Sequence, residues 1–202
     1  AAYTEALPRV TEFYTRLGAD ERLYAKYKAI DVASLNTEQK HAHTLAMRNF
    51  VLSGAELVGA AKERFAQIQE KQAELSQKFS ENALDSTEHF AYYATLEELE
   101  GVPADVVAAA KAAAEKETKE GYKLTLKLPC YFPVMQYAKS SALREILYKA
   151  YVTRASDQAN PDALKFDNTA IMQELLALRH EEAQLLGYPH FAEVSVASKM
   201  AE

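Results

Sequence analysis

Between Ala60 and about Ala83 the residues Ala61, Phe65, Ile68, Gln72, Leu75 and Phe79 recur at alternating spacings of three and four. An α-helix turns once in about 3.6 residues, so these side chains share one face along the whole stretch. A stripe of that length predicts the longest helix of the chain, packed along its length against other helices, with the Gln72 amide set into the seam. The last strong pattern, from about Asn168 to Leu186, carries two adjacent stripes: Ile171, Leu175, Leu178 and Leu185, then Met172, Leu176, Ala183 and Leu186. More than half of that circumference is apolar, which predicts a helix buried in the middle of its surroundings. Asp167 or Asn168 is placed to cap it, and Gly187 to close it with Pro189 beyond.

Helical periodicity extends over most of the chain. Val10, Phe13, Tyr14 and Leu17 fall on one face and Leu23, Tyr24 and Tyr27 on the next, with Gly18 between the two patterns. Asn36 or Thr37, with acceptors three residues on, predicts the start of a third helix. Pro103 suits a helix start, Gly121 a helix end, and Leu143, Leu147 and Tyr151 a helix face within 141–155. After Pro129 and Pro133 the helical pattern resumes at Val134, and Asn160-Pro161-Asp162 reads as a loop. Only the stretches around residues 89–95 and 121–128 read as strands, and a lone pair of strands is stable only against helices. The fold class predicted is mainly α: a multi-helix bundle with one short two-stranded β element.

Six glycines and six prolines in 202 residues, with 49% apolar and 26% charged residues, describe a folding, water-compatible chain rather than a disordered one. A net charge of −6 argues against a nucleic-acid partner, which needs clustered Lys and Arg. No apolar run is long enough to span a bilayer, so no membrane partner is expected. The single cysteine, Cys130, rules out an internal disulfide and a thiolate metal cage, which suits a cytoplasmic location.

Familiar chemical signatures stop short of completion. His180-Glu181-Glu182-Ala183-Gln184 begins like the zinc motif His-Glu-x-x-His, in which two His one helical turn apart reach one ion, but Gln184 occupies the second position. Asp85 and His89 are four apart, yet the helix pattern ends between them and a third ligand is absent from the local sequence. Gly54 to Gly59 has P-loop glycine spacing, but Ala60 and Ala61 follow where Lys and Ser or Thr would be needed. Arg179 and Glu182 interrupt the apolar stripes of the last long helix three residues apart. Burial would require them to be paired, and the sharper reading is that this face lines a cavity.

Longer strings carry a resemblance. Leu178-Arg179-His180-Glu181-Glu182-Ala183-Gln184-Leu185-Leu186-Gly187-Tyr188, Phe79-Ser80-Glu81-Asn82-Ala83-Leu84-Asp85, Leu128-Pro129-Cys130-Tyr131-Phe132-Pro133-Val134-Met135 and Ala150-Tyr151-Val152-Thr153-Arg154-Ala155-Ser156-Asp157 together resemble the thimet oligopeptidase family of zinc metallopeptidases. The resemblance implies a two-lobed endopeptidase that hydrolyses short unstructured peptides in a deep channel, its zinc held by His-Glu-x-x-His and a later Glu. On that reading residues 1–202 are part of the amino-terminal helical lobe of a larger peptidase, with no internal boundary, and both ends look cut. The implied zinc belongs to the parent enzyme and none is bound by this chain, which is expected to be inactive alone. Short peptides are the implied partners, and Arg179 and Glu182 the candidates for lining the channel wall. The parent is expected to be monomeric, and the piece to self-associate weakly through Ile171, Leu175, Val194 or Val196. The alternative is a free-standing helical interaction module that binds a partner through a tyrosine-rich face.

Overall fold

The computed structural model describes residues 2–200, Thr4 by its backbone alone. In chain order it contains α1 (Ala2–Gly18), α2 (Glu21–Lys28), a 3₁₀ turn (Val32–Ser34), α3 (Thr37–Leu52), α4 (Gly59–His89), β1 (Tyr92–Ala94), α5 (Ala104–Lys116) and β2 (Tyr122–Leu124). Then follow α6 (Leu128–Tyr137), α7 (Ser141–Val152), a 3₁₀ turn (Pro161–Phe166), α8 (Thr169–Leu185) and α9 (Phe191–Val196). The class is mainly α with one two-stranded antiparallel sheet, as the periodicities predict. The chain divides into two compact units: the described residues of Ala1–Gln77 with Ile171–Glu202, and Lys78–Ala170. The first unit is assembled from two separated stretches of sequence, so no linker composition marks the division.

In the first unit the starts of α2 and α3 are fixed by side-chain caps. Asp20 accepts from the backbone N–H of Arg22 and Leu23, and Asn36 forms a capping box with Gln39 at the head of α3. Helices α2 and α3 meet through Tyr24 and Tyr27, whose ring centroids lie 5.6 and 5.2 Å from that of Phe50. The Tyr24 hydroxyl donates to Glu56 at 2.6 Å. Helix α1 does not use its obvious apolar face: Val10, Phe13, Tyr14 and Leu17 are all exposed, while Leu7, Thr11, Thr15 and Gly18 are the more covered positions. At Gly18 a Cβ would meet the Ser53 Cβ at 2.7 Å, a contact that requires a glycine.

The second unit is built on the ribbon of β1 and β2, registered Tyr92↔Leu124, Tyr93↔Lys123 and Ala94↔Tyr122. Ala94, Leu99, Ala110, Leu124, Leu126, Tyr131, Val134, Leu143 and Leu147 form its core, with Leu124, Val134, Leu143 and Leu147 wholly buried. Each buried Leu or Val side chain there contributes on the order of 1.5–3 kcal/mol of transfer free energy. The loop after β1 is closed by Glu98, which accepts from the Thr95 N–H and the Tyr92 hydroxyl, both at 2.7 Å.

Several expectations change here. Helix α4 runs on to His89 rather than ending near Ala83, because its polar last turns find partners: Thr87 donates to the Ala83 carbonyl, Ser86 accepts from the Ala155 N–H, and Glu88 pairs with Lys127. Helix α5 ends at Lys116, with Thr118 in the left-handed region, and Gly121 instead lets the chain pass 2.7 Å from the Ala94 carbonyl oxygen, measured from the Cβ it lacks. Helix α6 starts at Leu128 and contains both prolines; Pro129 occupies the first turn, where no N–H is needed. Helix α8 is only half buried: Leu175, Leu178 and Ala183 are covered, whereas Met172 and Leu176 of the second stripe are 42% and 65% exposed. Leu175 and Val194 are buried within the chain, so neither is free for the contact with another copy expected of them; Val196 is exposed.

Two outcomes follow from this packing. Gly101 has φ +94°, and a Cβ there would stand 2.3 Å from the Tyr137 carbonyl oxygen, whereas Gly59, at φ +55°, faces open space. Gly101→Ala is expected to lower stability by about 3 kcal/mol or more and Gly59→Ala by about 1 kcal/mol, measured by urea denaturation. The Glu98 carboxyl is held below its ordinary value of 4.5, first by the Thr95 N–H and then by the Tyr92 hydroxyl. A carboxyl lowered on folding contributes stability above its unfolded pKa that is lost as pH falls through the folded value. Glu98→Gln should therefore flatten the decline in stability below about pH 4.5 and leave a smaller stability at neutral pH, read from denaturation curves across that range.

Candidate functional site

The seam predicted from the long stripe is present, and a carboxylate lies inside it. Ile68 and Leu75 of α4 pack with Leu175 and Leu178 of α8, flanked by Ile171 and Leu185. Arg64 binds Glu181 through two nitrogens at 2.6 and 2.7 Å, and Lys71 approaches Glu174 at 4.0 Å. Seven residues forward along α4 are matched by seven back along α8, so the two segments run antiparallel. Within this seam Glu182 is buried, one carboxylate oxygen accepting from Gln69 Nε2 at 3.0 Å and the other from Gln72 Nε2 at 2.6 Å. Because a carboxylate only accepts, both amides must present their NH₂ groups to it. Gln72, the polar residue on an apolar stripe, was the sequence signal for this arrangement; Gln69, off the stripe, left none.

Arg179 does not pair with Glu182. Its guanidinium carbon lies 5.1 Å from the centroid of the Phe191 ring, and its buried Nε has no hydrogen-bond partner. His180 is exposed, and the Gln184 amide that follows it by one turn donates to the carbonyls of Tyr188 and Pro189 at 3.1 and 3.0 Å. Gln184 is therefore committed to closing the end of α8. Among the described residues no three His, Cys, Asp or Glu side chains stand close enough to hold a metal, so the residues present do not fit the zinc that the resemblance implies. Asp85 and His89 lie on the same helix, but His89 Nε2 is bound to Asp162 at 3.0 Å. The candidate P-loop folds as a turn after α3, where a Cβ on Gly54 would meet the Phe65 ring at 3.1 Å.

In the second unit, α6 and α7 bring two tyrosine rings together beside a cation that follows α7. The rings of Tyr131 and Tyr151 stack at 4.3 Å with an interplanar angle of 14°, and the Arg154 guanidinium carbon lies 3.9 Å from the centroid of Tyr151. Burial pushes the Tyr131 phenol above its ordinary value, and the neighbouring phenols of Tyr151 and Tyr148 add to the effect. Phe132, Tyr148 and Val152 are exposed nearby in sequence on the same two helices. Arg154 was not among the sequence candidates, because a lone Arg after a helix carries no spacing signal. Cys130 accepts a long contact from the Thr125 N–H at 3.4 Å.

Residues 134–202 match the model of peptidase family M3. Among curated proteins it is similar to oligopeptidase A of Salmonella typhimurium, 47% identical over 206 residues, which cover all of this chain and 30% of that protein. It is also similar to the probable cytosolic oligopeptidase A of Arabidopsis thaliana, 41% identical over 213 residues, again all of this chain and 30% of the relative. Saccharolysin of Saccharomyces cerevisiae is 32% identical over 157 residues, 77% of this chain and 20% of that protein. The chain spans about 30% of the length of the oligopeptidase A relatives it matches.

The Glu182 clasp is testable by substitution. Gln72→Ala leaves a buried carboxylate oxygen unsatisfied and should cost about 1–3 kcal/mol. Adding Glu182→Leu to that variant should recover much of the loss, because the apolar pair needs no hydrogen bond. Urea denaturation of the single and double variants measures both effects.

Proposed function

We propose that this chain is part of a zinc-dependent oligopeptidase that hydrolyses peptide bonds in short unstructured peptides. The observation that carries the reading is identity of 47% with an oligopeptidase A along the whole of this chain, joined to the M3 match over 134–202. The piece forms part of the wall of a substrate channel in the amino-terminal helical lobe and is inactive alone, since its chemistry depends on a zinc site supplied elsewhere in the parent. When bound there, zinc supplies Lewis-acid activation of water toward a peptide carbonyl. This chain's contribution is steric and supportive. Helices α4 and α8, held in register by the Glu182 clasp, give a rigid wall that admits extended peptides and keeps folded ones out. Arg179 and Glu182 belong to that wall in different ways: Arg179 presents its partly covered cation, and Glu182 holds α8 to α4 from inside. The parent is a cytoplasmic monomer on this reading.

Support comes from the fold as well, because long paired helices give an extended, stiff surface of the kind a channel wall needs. The test is expression of the complete coding sequence. The whole protein, carrying a His-Glu-x-x-His beyond residue 202, is expected to cleave a short internally quenched peptide in a chelator-sensitive manner, while the 202-residue chain cleaves none and retains no stoichiometric zinc after dialysis. A reading frame without that motif, or cleavage indifferent to chelator, overturns the proposal.

A further inference from the structure

Arg154 is an arginine in an unusual electrostatic position. It is half-buried, stacked on Tyr151, and held by one hydrogen bond from Nη1 to the Tyr151 carbonyl at 2.6 Å. No carboxylate pairs with it among the described residues, and four of its five N–H donors remain uncommitted. It lines a cavity of about 180 Å³ together with Ser86, His89, Thr153, Asn160 and Asp162. The polar groups of this cavity are unevenly satisfied. Asp162 is taken by His89 at 3.0 Å and Thr153 donates to the Lys149 carbonyl at 2.7 Å, so the acidic group and one hydroxyl are already used. Ser86 is buried and accepts from the Ala155 N–H at 3.2 Å, which leaves its own O–H proton free to donate. The Asn160 side chain makes no cap bond to the 3₁₀ turn that it precedes.

The cavity therefore offers surplus donors and one unpaired, conformationally fixed cation, while its one carboxylate, Asp162, is engaged by the His89 ring. Guanidinium donors of fixed orientation match the two oxygens of a carboxylate. At about 30 Å³ per water, the volume accommodates a small organic acid and not an extended chain.

We propose that this cavity is a binding site for a compact carboxylate, such as a peptide's terminal carboxylate group, held by Arg154 with Ser86 and Asn160 as further donors. The site lies within the second unit and needs no zinc centre, so its test is independent of peptide hydrolysis. Failure of the peptidase reading leaves it standing, and its own failure leaves that reading untouched.

The experiment titrates the ¹⁵N-labelled 202-residue chain with N-acetylglycine, with N-acetylglycinamide and with inorganic phosphate, following the amide resonances of Ala155 and Asn160. N-acetylglycine is expected to give saturable shifts, and its amide, which lacks the charge, none. Arg154→Lys keeps the charge but loses the planar fork, and should weaken binding about tenfold. Asn160→Ala, at an exposed position tolerant of change, should weaken it roughly fivefold. Circular dichroism melts confirm that each variant is folded, and if Arg154→Lys does not fold, Asn160→Ala alone decides. Equal shifts with the acid and its amide, no saturable shift with the acid, unaltered affinity in the folded variants, or tighter binding of phosphate than of N-acetylglycine would each overturn the assignment.

Discussion

A polar group that leaves water must find its hydrogen bonds inside the protein, and this requirement sets helix register in both units. Glu182 can lie in the α4–α8 seam only because Gln69 and Gln72 present one amide to each oxygen. A slide of either helix by one turn would leave a buried carboxylate unpaired, at a cost comparable with a sizeable share of a domain's 5–15 kcal/mol of stability, roughly a few kcal/mol. The apolar contacts of Ile68, Leu75, Leu175 and Leu178 are non-directional and tolerate several registers; the clasp selects one. Asn168 plays the same part in the second unit, where it is almost wholly buried, accepts from Asn82 at 2.9 Å and donates to the Phe79 carbonyl at 3.1 Å.

Surface ion pairs act differently. The bidentate Arg64–Glu181 contact and the approach of Lys71 to Glu174 lie one heptad apart along the outside of the same seam, both largely solvated. Their Coulomb energy is screened, so they add direction to the packing rather than much stability. The apolar residues left outside, Val10, Phe13, Tyr14 and Leu17 on α1 with Met172 and Leu176 on α8, are large and exposed. Helix α1 packs instead through Leu7, Thr11, Thr15 and Gly18, and at Gly18 the absence of a Cβ allows the close approach to Ser53.

For function, the distribution of chemistry is informative. The motif-like string at His180 ends in a glutamine whose amide closes the helix, and the charged residue beside it turns inward to hold two helices together. Both give the M3-like sequence around α8 a structural role in this chain. The residues with unspent binding capacity stand elsewhere, around Arg154, where a fixed cation and free donors face a small cavity.

Periodicity and capping alone determined that this chain is mainly helical, where its long helices begin, that Asn36 or Thr37 heads α3, that Asp167 or Asn168 and then Gly187 bound α8, and that the two strand candidates form the one ribbon. These are local consequences of side-chain spacing and of backbone groups left open at helix ends. Tertiary structure alone decided which of several apolar faces is buried: the face of α1 with the larger residues is left exposed, and the second α8 stripe is covered only at its end, at Ala183 and Leu186, while Met172 and Leu176 are exposed. It also decided that α4 continues through Ser86 and His89, which have poor helical propensity but find partners at Ala155 and Asp162. Burial and pairing depend on what lies across from a residue in space, and Glu182 opposite Gln69, more than a hundred residues earlier, is a relation that no local pattern encodes.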